Sequence, residues 1–368
     1  MLEIRCASKV ENHLGCEMHM VAAEGETVLS RGNFTLTTSG FGDCRIPTLL
    51  AGGIATPIHN RRGGNVRKMF QHMHAEAADD GVAVALLHPF SFSYYRKFGY
   101  EKVADHVIVS CPTRLIDFIP RRCSFVPLTE ELLPDLVEIY DRFSKGRNLL
   151  LPRKKIPTFG GKEPKGYLYY ENGSPAAYIL YTTEQRLEIN HLTDGVVTVH
   201  EMAYTSPSAL REIFSFLRMF EGEMEEIRFA NLAPCPEAEL MLRHYTHTEY
   251  RLLPDLMARV LNTEKLLLAH TYPEEAGAFT VEVLDELPTV CGKWRVEYSG
   301  GVCYVRRLPE GESPDVTMTA AAFVRAVYGY DGFDSRVAAY ADGVEVNNMK
   351  TTFFSVFSRR PGGIFEHF

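Results

Sequence analysis

Between residues 50 and 90 the chain changes its hydrophobic period twice. "LLAGGIAT" reads as a short apolar strand, and beyond a polar loop Val66, Met69, Phe70, Met73 and Ala77 recur at i, i+3, i+4, i+7 and i+11. That spacing is the stripe of an amphipathic helix. "GVAVALLHPF" is then a nearly continuous apolar run, as a strand buried on both faces requires. The segment therefore reads strand, loop, helix, strand. Further on, "KGYLYYENG" and "PAAYILYTT" are alternating strands with "ENGSP" as the turn between them. "SPSALREIFSFLRMF" sets Leu210, Ile213, Phe214 and Leu217 on one helical face, and "EIRFANL" follows as a strand. Ahead of these, Thr129 in "TEELLPDLVEIYDRF" is placed to cap a helix with an acidic first turn. After about residue 261 come three short alternating strands, "FTVEVLDE", "KWRVEYSGG" and "VCYVRRL", then a helical "AAAFVRAVYGY".

A chain of 368 residues is expected to hold two or three domains. The segment 111–135 carries four prolines and reads as a crossing between blocks. The expected domains are 1–125, 126–260 and 261–368. Overall the class is α/β (α+β), with mixed sheets flanked by helices. At 45% hydrophobic and 23% charged residues the composition is that of a globular protein. The chain has no run of 18 apolar residues and no secretory signature at its start, so a cytoplasmic protein with no membrane partner is expected. A net charge of −8 argues against nucleic acid and suits a cationic small molecule. The closest two of the eight cysteines, Cys6 and Cys16, are ten residues apart, so no C-x-x-C site exists. His72 and His74 face different ways on a helix, H-E-x-x-H is absent, and no metal is expected.

The loop in "RRGGNVRKMF", residues 61 to 70, joins basic residues to glycines directly before the helix. A helix N-terminus presents unpartnered N–H groups and the positive end of the macrodipole. Glycine lets an anion approach the backbone, and arginine adds charge-assisted hydrogen bonds. A pyrophosphate is the natural ligand. On these ten residues alone a solvated basic turn fits equally well. The loop is neither a G-K-[ST] phosphate loop nor G-x-G-x-x-G.

The second feature is "SFSYYRKFGYE", residues 91 to 101, after the buried strand. Strand, R-x-x-G loop, helix, strand and then Y-x-x-F-G-[YF] resembles the GNAT acyltransferase core, and "GGIATPIHNRRGGNVRKMF" with "YYRKFGYE" is similar to the Eis family of N-acetyltransferases. That resemblance implies tandem GNAT-like domains and a sterol-carrier-like C-terminal domain that delivers the C-terminus. It implies acetyl-CoA as co-substrate, with the pantetheine arm along Ile54, Ala55 and Thr56. The pyrophosphate would lie on Arg61, Arg62, Gly63, Gly64, Asn65, Val66 and Arg67, with Phe90 and Ser91 near the thioester. Ser91 suits a helix N-cap equally well. Tyr95 would be the general acid that protonates the departing thiolate, since a phenol keeps its proton near neutral pH; Tyr94 is its neighbour and rival. By the same resemblance the C-terminal carboxylate of Phe368 would be the base, with His367 as the fallback. The tail "FFSVFSRRPGGIFEHF" is aromatic enough to dock rather than fray.

Two departures qualify the resemblance. Only 17 residues precede "MHMVAAEGETVLS", too few for the strand and two helices usual at the start of a GNAT domain, so either those helices are missing or the chain begins late. No R-x-x-G loop stands at "AYTSPSALREIF", so the middle domain should not bind CoA. The expected acceptor is an amine on a cationic, aminoglycoside-like small molecule, and the resemblance implies a homo-oligomer, often a hexamer. The alternatives are acetylation of protein lysines or N-termini, or a lipid or small-molecule carrier with a relic site.

Overall fold

The first sheet begins with four consecutive antiparallel strands: β1 (Leu2–Glu11), β2 (Cys16–Glu24), β3 (Thr27–Phe41) and β4 (Cys44–Ala55). The structure is a computed structural model that describes residues 2–186, 194–309, 311–330, 332 and 334–368. Helix α1 (Asn65–Asp79) then crosses to β5 (Val84–Leu87), which pairs in parallel with β4. A short helix α2 (Phe92–Arg96) and a two-residue strand β6 (Glu101–Lys102) follow. The predicted stripe is the buried face of α1: Val66, Met69, Phe70, Met73 and Ala77 pack with Met18, Phe34, Leu49 and Leu87. Each of the larger side chains so buried is worth about 1.5–3 kcal/mol. Phe70, whose ring meets Phe34 edge-on at 5.9 Å, is the member whose truncation to Ala would be felt most, by about 3–5 kcal/mol. Among the described residues, β2 is preceded by a strand and not by helices.

The second sheet takes β7 (Asp105–Pro112), β8 (Phe125–Pro127), β9 (Lys165–Glu171), β10 (Ser174–Arg186), β11 (Asp194–Tyr204), β12 (Glu226–Phe229) and β13 (Glu249–Pro254), with helices α3 (Leu133–Ser144) and α4 (Pro207–Leu217). Its order is β13-β7-β12-β11-β10-β9-β8, and β11–β12 is the parallel pair. The β9–β10 hairpin turns on Asn172 (φ +52°) and Gly173 (φ +81°), the two positive values a tight primed turn demands. Leu210, Ile213, Phe214 and Leu217 are buried on α4 as their spacing predicts. Thr129 does not cap α3. It precedes a separate 3₁₀ turn, Glu130–Leu132, and makes no capping hydrogen bond. Pro134, which lacks an N–H, fits only a first turn, so the regular helix starts around it at Leu133.

The remaining strands are β14 (Met257–Val260), β15 (Gly277–Leu284), β16 (Gly292–Ser299), β17 (Val302–Arg307), β18 (Val316–Thr319) and β19 (Val344–Val346), with α5 (Thr263–Ala269), α6 (Ala320–Val327), α7 (Ser335–Ala338) and α8 (Phe353–Val356). β14 pairs with β5 and β6, completing a first sheet of order β1-β2-β3-β4-β5-β14-β6. β15 to β19 form a third sheet of order β17-β16-β15-β18-β19. The chain divides into two compact units, one of residues 1–104, 255–360 and 367–368, the other of 105–254 and 361–366. Along the chain the two units change over after residues 104 and 254. The cause is backbone pairing: β7 hydrogen-bonds to β12 and β13, and β14 to β5 and β6. Residues after 260 also pack on the first sheet within the first unit. Phe41 of β3 packs on Tyr328 and His270, and the Lys265 ammonium donates to the Gly81 carbonyl at 2.6 Å. No helix among the described residues is long and apolar enough to cross a membrane.

Candidate active site

The parallel register of β4 and β5 runs from Thr48 and Val84 to Leu50 and Leu86 and stops there. Beyond it β4 keeps only its β3 partner, through an irregularity near Asn33, while β5 stays paired with β14. The two strands therefore part, and Ala51 to Ala55 carry an edge of backbone donors and acceptors into the opening. Ile54 and Ala55 end β4 there. Thr56 follows, its hydroxyl bonded to Ser30 at 2.9 Å and its carbonyl accepting from Arg61 Nε at 3.3 Å.

At the loop, Gly64 is the N-cap of α1 in the left-handed region (φ +76°), and no side chain caps the first turn. A methyl added at Gly64 would meet nothing within 4 Å, so the space in front of the helix is open. Arg62 also adopts positive φ, at +68°. Arg61, Arg62, Gly63, Gly64 and Arg67 are exposed, whereas Asn65 and Val66 are buried and fix the helix beneath. Arg67 lies 5.4 Å from the centre of the Phe98 ring. The second unit differs at the matching junction. There Ser206 caps α4 by accepting from the Ala209 N–H at 3.0 Å, and Pro207 occupies the first turn. Its own side chains satisfy what the first unit leaves open.

Ser91 is the N-cap of α2, accepting from the Tyr94 N–H at 3.4 Å. Phe90 is 74% exposed and covers Tyr94 and Tyr95, at ring separations of 5.2 and 5.3 Å. Tyr95 is the buried residue of α2, packed edge-on against Phe70 at 6.1 Å. Burial, with a smaller push from Tyr94, raises its phenol to about 12, so it is protonated throughout the neutral range. Tyr94 is only half-buried and is raised less, again by burial, with Arg67 opposing. His74, set aside above as a metal ligand, bonds the Tyr100 hydroxyl at 2.9 Å, and His72 faces Glu76 at 3.4 Å. No group of three metal-ligating side chains exists among the described residues.

Phe368 comes to the opening between β4 and β5. A methyl added at Gly52 would stand 2.9 Å from its terminal carbon and oxygen. Its ring lies 4.9 Å from that of His88, the residue after β5, and His88 is 4.7 Å from His367. The His88 Nδ1 in turn meets the Asp255 carboxylate at 2.9 Å. Gly52, His88 and Asp255 were not singled out in the sequence. "HPF" and "LLPDL" carry no motif, and only the separate pairing of β5 with β14 brings His88 and Asp255 together.

Residues 5–103 match the model of one acetyltransferase (GNAT) domain family, and residues 148–260 match that of a second. The chain belongs to the GNAT acetyltransferases. It carries two such domains in tandem, in an Eis-like arrangement, and acetyl-CoA is its co-substrate. The acetyltransferase shares the fold of a GCN5-related N-acetyltransferase from Anabaena variabilis (18% identity, 95% of this chain and 89% of that one, TM-score 0.81). It is similarly close in fold to Eis1 from Mycobacterium abscessus (18%, 95% and 90%, TM-score 0.76) and to a GCN5-related N-acetyltransferase from Kribbella flavida (14%, 95% and 88%, TM-score 0.76). No curated protein matches the sequence. The uncapped α1 terminus, the open space before Gly64 and the three arginines of the loop fit a pyrophosphate, and the edge of β4 fits an extended amide-bearing arm.

Proposed function

We propose that the protein transfers the acetyl group of acetyl-CoA directly to an amine of a cationic small molecule, with the Phe368 carboxylate as base and Tyr95 as general acid. The observation that carries this reading is the terminal carboxyl group lying against Gly52, where β4 and β5 part. Acetyl-CoA brings an activated thioester whose carbon accepts the amine. The loop residues Arg61 to Arg67 and the first-turn N–H groups of α1 hold its pyrophosphate, and Ile54, Ala55 and Thr56 align its arm. The carboxylate takes the proton that the amine loses as its nitrogen bonds the acetyl carbon. Tyr95 offers its phenol proton to the sulfur as the C–S bond breaks. A phenol raised to about 12 holds its proton until the sulfur becomes anionic. His88, oriented by Asp255, packs its ring at a tilt against that of the terminal residue and restricts where its carboxylate can lie. The net charge of −8 favours approach of a cationic acceptor.

The test is turnover of acetyl-CoA, read as free thiol, with an aminoglycoside and with a lysine-containing peptide as rival acceptors. The aminoglycoside is expected to react with the higher kcat/KM, and removal of Phe368 to lower kcat on the order of a hundredfold. Preference for the peptide, or full turnover without Phe368, contradicts the proposal.

A further inference from the structure

The six residues before His367 belong to the second unit, and four of them, Gly363, Ile364, Phe365 and Glu366, are buried. A chain end buried in this way must have its polar groups matched. Asn148 N–H donates to the Pro361 carbonyl at 2.9 Å, Gly363 N–H to the Asn148 carbonyl at 3.2 Å, and Asn231 Nδ2 to the Ile364 carbonyl at 3.0 Å. Phe365 joins the second unit's hydrophobic core.

The place where this peptide lies has a counterpart in the first unit. β11 and β12 pair in parallel from Val196 and Glu226 to Val199 and Phe229, and their pairing ends there. Glu201 stands two residues past the last pair on β11, and Asn231 two residues past β12. The Arg153 guanidinium reaches Glu201 at 2.5 Å through Nη2 and Glu366 at 2.6 Å through Nη1. The side chains of Arg153 and Glu201 are no more than 1% exposed. Tyr178 donates its hydroxyl to the other Glu201 oxygen, and the Arg153 guanidinium lies 4.8 Å from the Tyr140 ring. So Ile364 is held by Asn231 just past β12, and Glu366 by Arg153, itself paired with Glu201 of β11, where that pair parts as β4 and β5 do in the first unit.

We propose that the strand cleft of the second unit is a binding site for the chain's own C-terminal peptide, Pro361–Glu366, and that Arg153 is the positioning residue that sets the terminal carboxylate. The positioning role rests on the reading of that carboxylate as base. Glu366 is two residues from the terminus, so fixing it confines the Phe368 Cα to within about 7 Å. A buried trio of two carboxylates and one guanidinium is a poor way to gain stability, because desolvation offsets the attraction. It is a good way to fix a geometry, since the guanidinium presents its donors in a rigid fork. Burial raises the Glu201 carboxyl to about 7 against the pull of Arg153, and Glu366 adds to the rise. Without Arg153, two carboxylates would share one buried site, and the tail is the partner able to leave.

The experiment is hydrogen exchange of the tail amides in the full chain, wild type against Glu366→Gln and Arg153→Met, with kcat and the KM for acetyl-CoA measured on each. Arg153→Met is expected to speed tail exchange on the order of a hundredfold. Glu366→Gln leaves the Arg153–Glu201 pair intact, so the unit keeps its melting temperature while tail exchange rises about tenfold. In both, kcat falls and KM holds. Unchanged tail protection in both variants overturns the binding site. Faster exchange with unchanged kcat overturns the positioning role. Full turnover after removal of Phe368 overturns the base reading and the positioning role with it, while the exchange result still decides whether the cleft holds the tail.

Discussion

Gly52→Ala would disturb the C-terminal carboxyl group and little else. Gly52 is not among the glycines with positive φ, so alanine fits its backbone without strain. Among the described residues, an added methyl would crowd the terminal carbon and oxygen of Phe368, each 2.9 Å away. Ordinary carbon contacts lie at about 3.5–4.0 Å, so the carboxylate must retreat by roughly 0.6–1 Å. Catalytic groups misplaced by about 1 Å lose on the order of a hundredfold in rate. A partial retreat gives a fall of about 10- to 100-fold in kcat, or about 1.4–2.7 kcal/mol of transition-state stabilisation. The loop at Arg61 to Gly64 is untouched, so acetyl-CoA should bind as tightly as to wild type by calorimetry. Unfolding stability should change by less than about 1 kcal/mol. Wild-type kcat in a correctly folded Gly52→Ala protein would refute the reasoning, because no base can act from a position that a methyl has taken.

Tyr95→Phe removes only the phenol oxygen and should lower kcat on the order of a hundredfold at an unchanged melting temperature, read by thiol release and thermal unfolding. Asp255→Asn keeps the size of the side chain but removes the charge facing His88; kcat is expected to fall about tenfold with the KM for acetyl-CoA unchanged, whereas a purely structural contact would shift stability and leave kcat alone. His270, buried with its Nε2 at 3.0 Å from the Val356 carbonyl, has its ring lowered to about 4, first by burial and then by Arg360. A base with a depressed folded pKa contributes stability that is present above its ordinary value of 6.5 and is lost as pH falls toward about 4. His270→Gln should flatten this acid limb in urea titrations between those two pH values, and an unaltered limb would assign it to other groups.

Local pattern made the stripe of α1 and the Asn172–Gly173 turn legible, because periodicity and turn chemistry are set within a few residues. The basic loop and the Y-x-x-F-G-Y stretch were legible for the same reason: the groups that act together are neighbours in the chain. Strand pairing was not. Nothing in the residues of Asp105–Pro112 or Met257–Val260 names a partner, and only the ladder decides which sheet a strand joins. The same non-local pairing hides the His88–Asp255 contact, which spans 167 residues. Arg153, Glu201 and Glu366 lay furthest from sight. Single charged residues are ordinarily read as surface, and nothing in the sequence marks three of them as a buried set.

Calorimetric titration of acetyl-CoA into wild type and Gly64→Glu asks whether the loop before α1 holds acetyl-CoA for transfer. The glutamate would set a carboxylate in the open space proposed to take the pyrophosphate. Micromolar binding to wild type, weakened on the order of a hundredfold or more in the variant, is the predicted result. Equal affinity in the two proteins, or no binding to wild type, would contradict it.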